Sequence, residues 1–274
     1  MPLHSKKDPT TSAIERVAAC LAESDPGRKC ATLAKLRVSS NTLHTRSGQN
    51  LAPGRPPTPT LVHPRDLPRR ALNTIQGHAA FVHAICHIEF TAINLALDAA
   101  VRFNDMPAAF YLDWVGVAAE EAVHFSLLEG HLRTLGYAYG DFDAHDGLWD
   151  MAKRTSDDVL RRMALVPRVM EARGLDVTPG MIVRLQKIGD EAGAKILERI
   201  LDDEIAHVRL GSRWFTYLCN RRGLDPVSTF SEIVVAEFGA IRGTSLNREA
   251  RISAGFTEAE LEALSEASRT LKAR

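Results

Sequence analysis

Apolar residues recur along most of this chain at helical spacing. Ile14, Val17, Ala18 and Leu21 fall at i, i+3, i+4 and i+7, which predicts a helix over 10–24 with Thr11 or Ser12 as its N-cap. A shorter helical pattern covers 29–37. Periodicity is then lost over 38–69, where six prolines fall between 53 and 68, so this stretch should run extended over a surface. From residue 71 the helical pattern is strong. Segment 73–103 is apolar on most faces, as a buried helix is. Pro107 suits the first position of a helix over 107–135, which Gly136 ends. A loop over 137–147 and a helical turn near 148–154 follow. Thr155 or Ser156 should cap a helix that runs to Arg173, stops at Gly174 and kinks at Pro167. Thr178-Pro179 opens a further helical stretch that breaks near Gly189-Asp190 and continues over 190–222. The tail over 224–274 ends in a helix with a Thr257-x-x-Glu260 capping box. No apolar–polar alternation is long enough for a sheet, so the fold class is all-α. The expected organisation is an N-terminal helical and Pro-rich extension over 1–70, a four-helix unit over 71–223 and a helical tail over 224–274 packed on it.

Charge and cysteine content narrow the function classes. In 274 residues, Lys+Arg 34 balances Asp+Glu 34, so the chain lacks the positive excess on which non-specific nucleic-acid binding rests. Arg65, Arg69 and Arg70 form a local basic cluster that reads as a solvated turn; only a tRNA-directed activity would call on it. Cys20, Cys30, Cys86 and Cys219 are far apart with no C-x-x-C, against a disulfide framework or a zinc finger. The N-terminus has no apolar signal core. The most apolar run, AINLALDAAV, is broken by Asp98 and falls short of the ~20 residues a membrane helix needs. The expectation is a cytoplasmic protein with no membrane partner.

The chemistry lies in two Glu-x-x-His motifs, Glu121-x-x-His124 and Glu204-x-x-His207, each in the middle of a helix. Residues i and i+3 share a helix face, so carboxylate and imidazole can converge on one metal ion. With 17 Glu and 10 His, chance gives about 0.6 such spacings, so one motif means nothing and two carry weight. A four-helix di-metal centre needs a further Glu from each of two other helices. Glu89 and Glu171 supply them, each in an apolar setting. Glu121 follows Glu89 by 32 residues and Glu204 follows Glu171 by 33, so the pattern occurs twice, as two helical hairpins. Four carboxylates and two imidazoles suit iron, with manganese as the alternative, better than tetrahedral zinc. The acidic residue before each motif glutamate points to outer support: by pseudo-twofold symmetry Asp203 would orient His124 and Glu120 would orient His207. His83, His87 and His131 read as core histidines, and Trp214 as a core aromatic.

At these residues the chain resembles the ferritin-like di-iron carboxylate superfamily, and more closely a bacterial domain-of-unknown-function family, the one numbered 455. HAICHIEFTAINLALDAA, AAEEAVHFSLLEGHLRTLGYAYGDFDAHDGLW, MALVPRVMEARGLDVTPGM, ILERILDDEIAHVRLGSRWF and the Pro-rich PGRPPTPTLVHPRDLPRR carry the likeness, which covers roughly 52–222. It implies a ferritin-like antiparallel four-helix bundle and a di-metal site, without naming a substrate. Three functions follow as alternatives. The first is an oxidoreductase or hydroxylase that activates O₂ or peroxide, with an unknown small-molecule or macromolecular substrate and an electron-donor protein. The second is iron handling or peroxide scavenging. The third is a non-catalytic metal-binding bundle.

Overall fold

The computed structural model describes residues 13–38, 52–239 and 246–270, with side chains as far as residue 264. Thr11 and Ser12, the expected first N-cap, lie outside the described residues. Eleven α-helices are named among those described: α1 (Ala13–Ala22), α2 (Pro26–Lys35), α3 (Ile75–Arg102), α4 (Ala108–Thr134), α5 (Gly147–Arg154), α6 (Val159–Leu165), α7 (Ala172–Lys187), α8 (Glu191–Arg222), α9 (Pro226–Phe238), α10 (Arg248–Ser253) and α11 (Glu258–Thr270). No strand occurs among the described residues; Leu61 and Ala144 form an isolated bridge. The chain is therefore an all-α helical bundle.

Short connections fold α3 back on α4 and α7 back on α8, and α4 packs across on α8 to join the two hairpins. Caps start the helices where the sequence supplies an acceptor. The Thr74 hydroxyl accepts the Gly77 N–H at 3.0 Å to start α3, and Asp190 accepts the Gly193 N–H at 2.8 Å to start α8. Gly223, at φ 67°, ends α8 in the left-handed conformation that a side chain would disfavour. Outside the bundle, α1 lies on α3, α2 on α4, α9 on α6 and α8, and α11 on α9. The Pro-rich segment crosses the surface as expected, pinned by Gly54 N–H to Leu21 C=O at 2.8 Å and Val62 N–H to Ala144 C=O at 2.8 Å.

Several boundaries differ from the sequence reading. Pro107 is one position outside α4, extended at ψ 149°, with its carbonyl accepting the Phe110 N–H at 2.8 Å. Asp158, not Thr155 or Ser156, caps the third bundle helix, its carboxylate accepting the Leu160 N–H at 3.0 Å. The Thr155 hydroxyl instead closes α5 on the Met151 carbonyl at 2.8 Å and accepts Arg162 Nε–H at 2.8 Å. Gly174 does not stop the helix, and Thr178-Pro179 lies inside α7. Buried Leu175, Thr178, Ile182 and Leu185 give α7 a continuous face, and the packing of that segment on α8 overrides the local glycine and proline signals. α3 also meets the length and apolarity of a membrane-crossing segment, contrary to the reading of its sequence; 78% of its most apolar window is buried, as in a core helix. Its few charges are spaced widely enough for an 18-residue window to stay apolar.

Pro167 does more than kink its helix. Residues Val166–Glu171 form a π-helical turn between α6 and α7. Such turns hold one residue more than an α turn and frequently mark functional sites. Opposite the proline ring, α8 carries Gly211, whose Cβ, if present, would lie 2.6 Å from Pro167 Cγ. Gly211→Ala should therefore overpack this crossing and destabilise the protein by ~1–3 kcal/mol. Chemical denaturation checks it, and unchanged stability would mean that the turn shifts freely. The next residue, Arg168, is buried, with its guanidinium 4.2–4.7 Å from the ring centres of Phe215, Phe230 and Phe256. It pairs with Glu260 of α11 at 2.7 Å. Glu260 also closes the expected capping box, accepting the Thr257 N–H at 2.9 Å.

Candidate metal centre

Four elements deliver acidic and imidazole side chains to the middle of the bundle. α3 contributes Glu89, α4 contributes Glu120, Glu121 and His124, the π turn contributes Glu171, and α8 contributes Asp203, Glu204 and His207. Ligand atoms of Glu89, Glu121, His124 and Glu204 all lie within 4.8 Å of one another. His124 Nδ1 is 3.2 Å from Glu121 Oε2 and 3.3 Å from Glu89 Oε2. His207 Nδ1 is 3.0 Å from Glu121 Oε1 and 3.4 Å from Glu204 Oε1. Glu121 thus presents one carboxylate oxygen to each imidazole, and the two rings lie 5.8 Å apart. Glu171 is outside the four-residue group, yet its carboxyl feels Glu204, Glu121 and Glu89 as like charges and His207 as an attraction.

The outer nitrogen of each imidazole has its own acceptor. His124 Nε2 is 3.0 Å from Asp203 Oδ2, and His207 Nε2 is 2.6 Å from Glu120 Oε2. An Nε2–H donated outward fixes each ring with Nδ1 facing the carboxylates, so that loss of the Nδ1 proton would leave the tautomer a metal ligand needs. Glu120 and Asp203 are the acidic residues immediately before the two motif glutamates, and each reaches across to the histidine of the other hairpin.

The centre is nearly sealed. Glu89, Glu121, His124 and His207 are buried, whereas the Glu204 side chain retains 14% exposure and marks the accessible side. Burial, then Glu121 beside it, pushes the Glu89 carboxyl up to about 8. Burial and neighbouring acids also raise Glu171 well above the carboxylate range. Against burial, the carboxylates of Glu121 and Glu89 push His124 up to about 11, and those of Glu120, Glu121 and Glu204 raise His207 in the same direction. Protons thus gather where anions crowd. Glu120, by contrast, is held below the usual carboxylate range by its hydrogen bond to His207.

The residues present could bind metal ions. Glu89 Oε2 and His207 Nδ1 are buried without a hydrogen-bond partner, and both lie within the cluster. Carboxylates and imidazoles form the mixed oxygen and nitrogen donor set that iron and manganese accept.

Other histidines have local explanations. His83 Nε2 accepts the Gly140 N–H at 3.0 Å, and His87 Nδ1 lies 2.9 Å from the Tyr139 hydroxyl. Trp214 packs on Phe110 in the core. All four cysteines are free thiols. Sequence reasoning missed a second convergence, of His78 and His131 on Asp190, because its members share no local spacing.

A protein of Haemophilus influenzae described as uncharacterized is 50% identical over 224 residues, which cover 79% of this chain and 78% of that one. No solved structure matches the chain. The family described as protein of unknown function (DUF455) matches residues 22–262, and with that extent of agreement the chain belongs to this family.

Proposed function

We propose that the centre holds two metal ions, iron first and manganese as the alternative, in a ferritin-like arrangement. On this reading the protein is an oxidoreductase that uses O₂ or peroxide on an organic substrate. The observation that carries the reading is Glu121, with one oxygen directed at His124 and the other at His207. Glu89, Glu121, His124, Glu171, Glu204 and His207 would together hold the ions. Anions buried this closely need compensating charge, since desolvation and mutual repulsion otherwise favour protonation. Two such ions, when bound, supply the one-electron chemistry that amino-acid side chains lack.

The chain's own residues do the rest. Asp203 and Glu120 hold the imidazole tautomers. The bundle interior keeps water from the buried donors, and the exposed edge of Glu204 is the side from which substrate and oxidant approach. Electrons for O₂ come from a donor protein on this reading. Nothing in the balanced charge of the chain favours nucleic acid as the substrate.

Anaerobic loading with Fe²⁺, metal analysis and an optical spectrum after exposure to air test the proposal. Wild-type protein should gain two irons per chain that Glu121→Ala does not retain, and should develop the near-ultraviolet absorption of a coupled ferric pair. Wild-type protein that binds no iron at this centre would leave an inert bundle. Assembly into a 12- or 24-subunit particle would favour iron storage instead. Asp203→Ala should weaken iron binding ~10–100-fold by freeing the His124 ring. Competition with a chelator measures this, and an unchanged affinity would reduce Asp203 to a solvated charge.

A further inference from the structure

We propose that His78, His131 and Asp190 form a second, mononuclear site for a divalent first-row transition ion, independent of the carboxylate-rich centre. The three side chains come from three helix ends: the first turn of α3, the last turn of α4 and the N-cap of α8. Asp190 uses Oδ1 to accept the Gly193 N–H at 2.8 Å. Its other oxygen, Oδ2, lies 2.6 Å from His78 Nε2 and 2.8 Å from His131 Nε2. One nitrogen of each ring and one carboxylate oxygen therefore meet at a single point. Two imidazoles and one carboxylate with open positions are a donor set used for mononuclear divalent ions.

Three further observations favour a cation there. Asp190 is only 9% exposed, yet among the described residues no Lys or Arg pairs with it. Its charge is met only by the Gly193 N–H and the two imidazoles, and a cation at their meeting point would balance it directly. Gly193 keeps the meeting point clear: a Cβ there would overlap Asp190 Oδ2 and come within 3.0 Å of His131 Nε2. The His78 side chain, at 14% exposure, leaves an open side for water ligands and for metal entry.

The fit requires modest movement. Donor atoms bound tetrahedrally at the usual zinc distances lie ~3.3 Å apart, so the side chains must spread by roughly half an ångström. His78 has the most room to do so, being half-buried on a first helical turn. On α4, His131 is seven residues beyond His124, a separation of ~10 Å along the axis, so the two sites share no ligand. An ion here would tie the ends of both hairpins together.

The test uses full-length protein stripped with chelator, then loaded with Zn²⁺ or Co²⁺. In a Glu121→Ala background one equivalent of Co²⁺ should still bind and give ligand-field absorption in the visible. Adding His78→Ala, or Asp190→Asn, which keeps a capping residue at the start of α8, should abolish that equivalent. In the wild-type background either change should lower Zn²⁺ content by one ion per chain. If metal content and Co²⁺ absorption are the same with and without His78 and Asp190 in proteins whose helicity is intact, the proposal fails. Asp190 would then merely accept two imidazole hydrogen bonds. Failure of the carboxylate-rich centre would be read separately, as wild-type protein that binds one ion at most.

Discussion

Reloading the metal-free protein with Fe²⁺ at about a thousandfold over its dissociation constant should raise the melting temperature by ~8–16 °C. Ligand at that excess adds ~4 kcal/mol to folding if the unfolded chain does not bind it, and 1 kcal/mol moves the midpoint of a chain this large by ~2–4 °C. The pH dependence gives a second readout. In the metal-free protein Glu89 is raised from 4.5 to about 8 and His124 from 6.5 to about 11. Both shifts mean that the folded state holds protons the unfolded state has released, so stability should fall as pH rises from about 5 to 9. For His124 the contribution is full below 6.5 and lost as pH rises through about 11; for Glu89 the penalty grows from 4.5 upward and is complete above about 8. Metal displaces those protons, so the loaded protein should lose this slope and bind metal more tightly at higher pH. Differential scanning calorimetry at several pH values, with Glu121→Ala alongside, measures both. A metal-independent midpoint in the wild type would sink the di-metal reading.

Asp98→Ala should destabilise the protein by ~3–5 kcal/mol, the usual cost of leaving a buried charge without its partner. Asp98 is fully buried in α3 and binds two guanidinium groups, Arg162 at 2.6 Å and Arg102 at 2.6 Å. Arg162 is the deeper of the two. It also donates to Thr155 Oγ1 at 2.8 Å and to the Ala152 carbonyl at 2.5 Å, and its cationic face lies 5.2 Å from the centre of the Phe103 ring. Removing Asp98 leaves these donors in place and takes away the charge that balances them. Urea denaturation gives the number. A loss under ~1 kcal/mol would mean that water reaches Arg162 as soon as the carboxylate is gone.

Asp98 also shows how far the sequence could be read. It is legible as an interruption in an apolar helix, but its partner is 64 residues away and leaves no local trace. α3, α4 and the break before α8 were legible because apolar spacing, Gly136 and Gly189-Asp190 agree. The third bundle helix was not, because Gly174 and Pro179 are stop signals whose effect burial of Leu175 and Ile182 overrides. Of the candidate centre, the contacts of Asp203 with His124 and Glu120 with His207 follow from a repeated acidic position in two similar hairpins. Position along a helix predicts which face a side chain takes, and symmetry then pairs the faces. The meeting of His78, His131 and Asp190 has neither aid: three helix ends come together only once the whole bundle is assembled.

Arg168 gives the C-terminal segment a meaning that its place in the chain conceals. The guanidinium sits on the same π turn as Glu171, three residues earlier, and its carboxylate partner belongs to α11. A shortened chain ending after Gly223 would retain every side chain of the candidate centre. It would also leave a bare cation facing a half-open aromatic cage, with only Phe215 of the three rings remaining. The last fifty or so residues are thus not an appendage to be trimmed for crystallisation or fused to a reporter without consequence. They are the buttress against which the turn that carries Glu171 is set, so that a lesion near the terminus would be felt among the acidic side chains at the middle of the molecule.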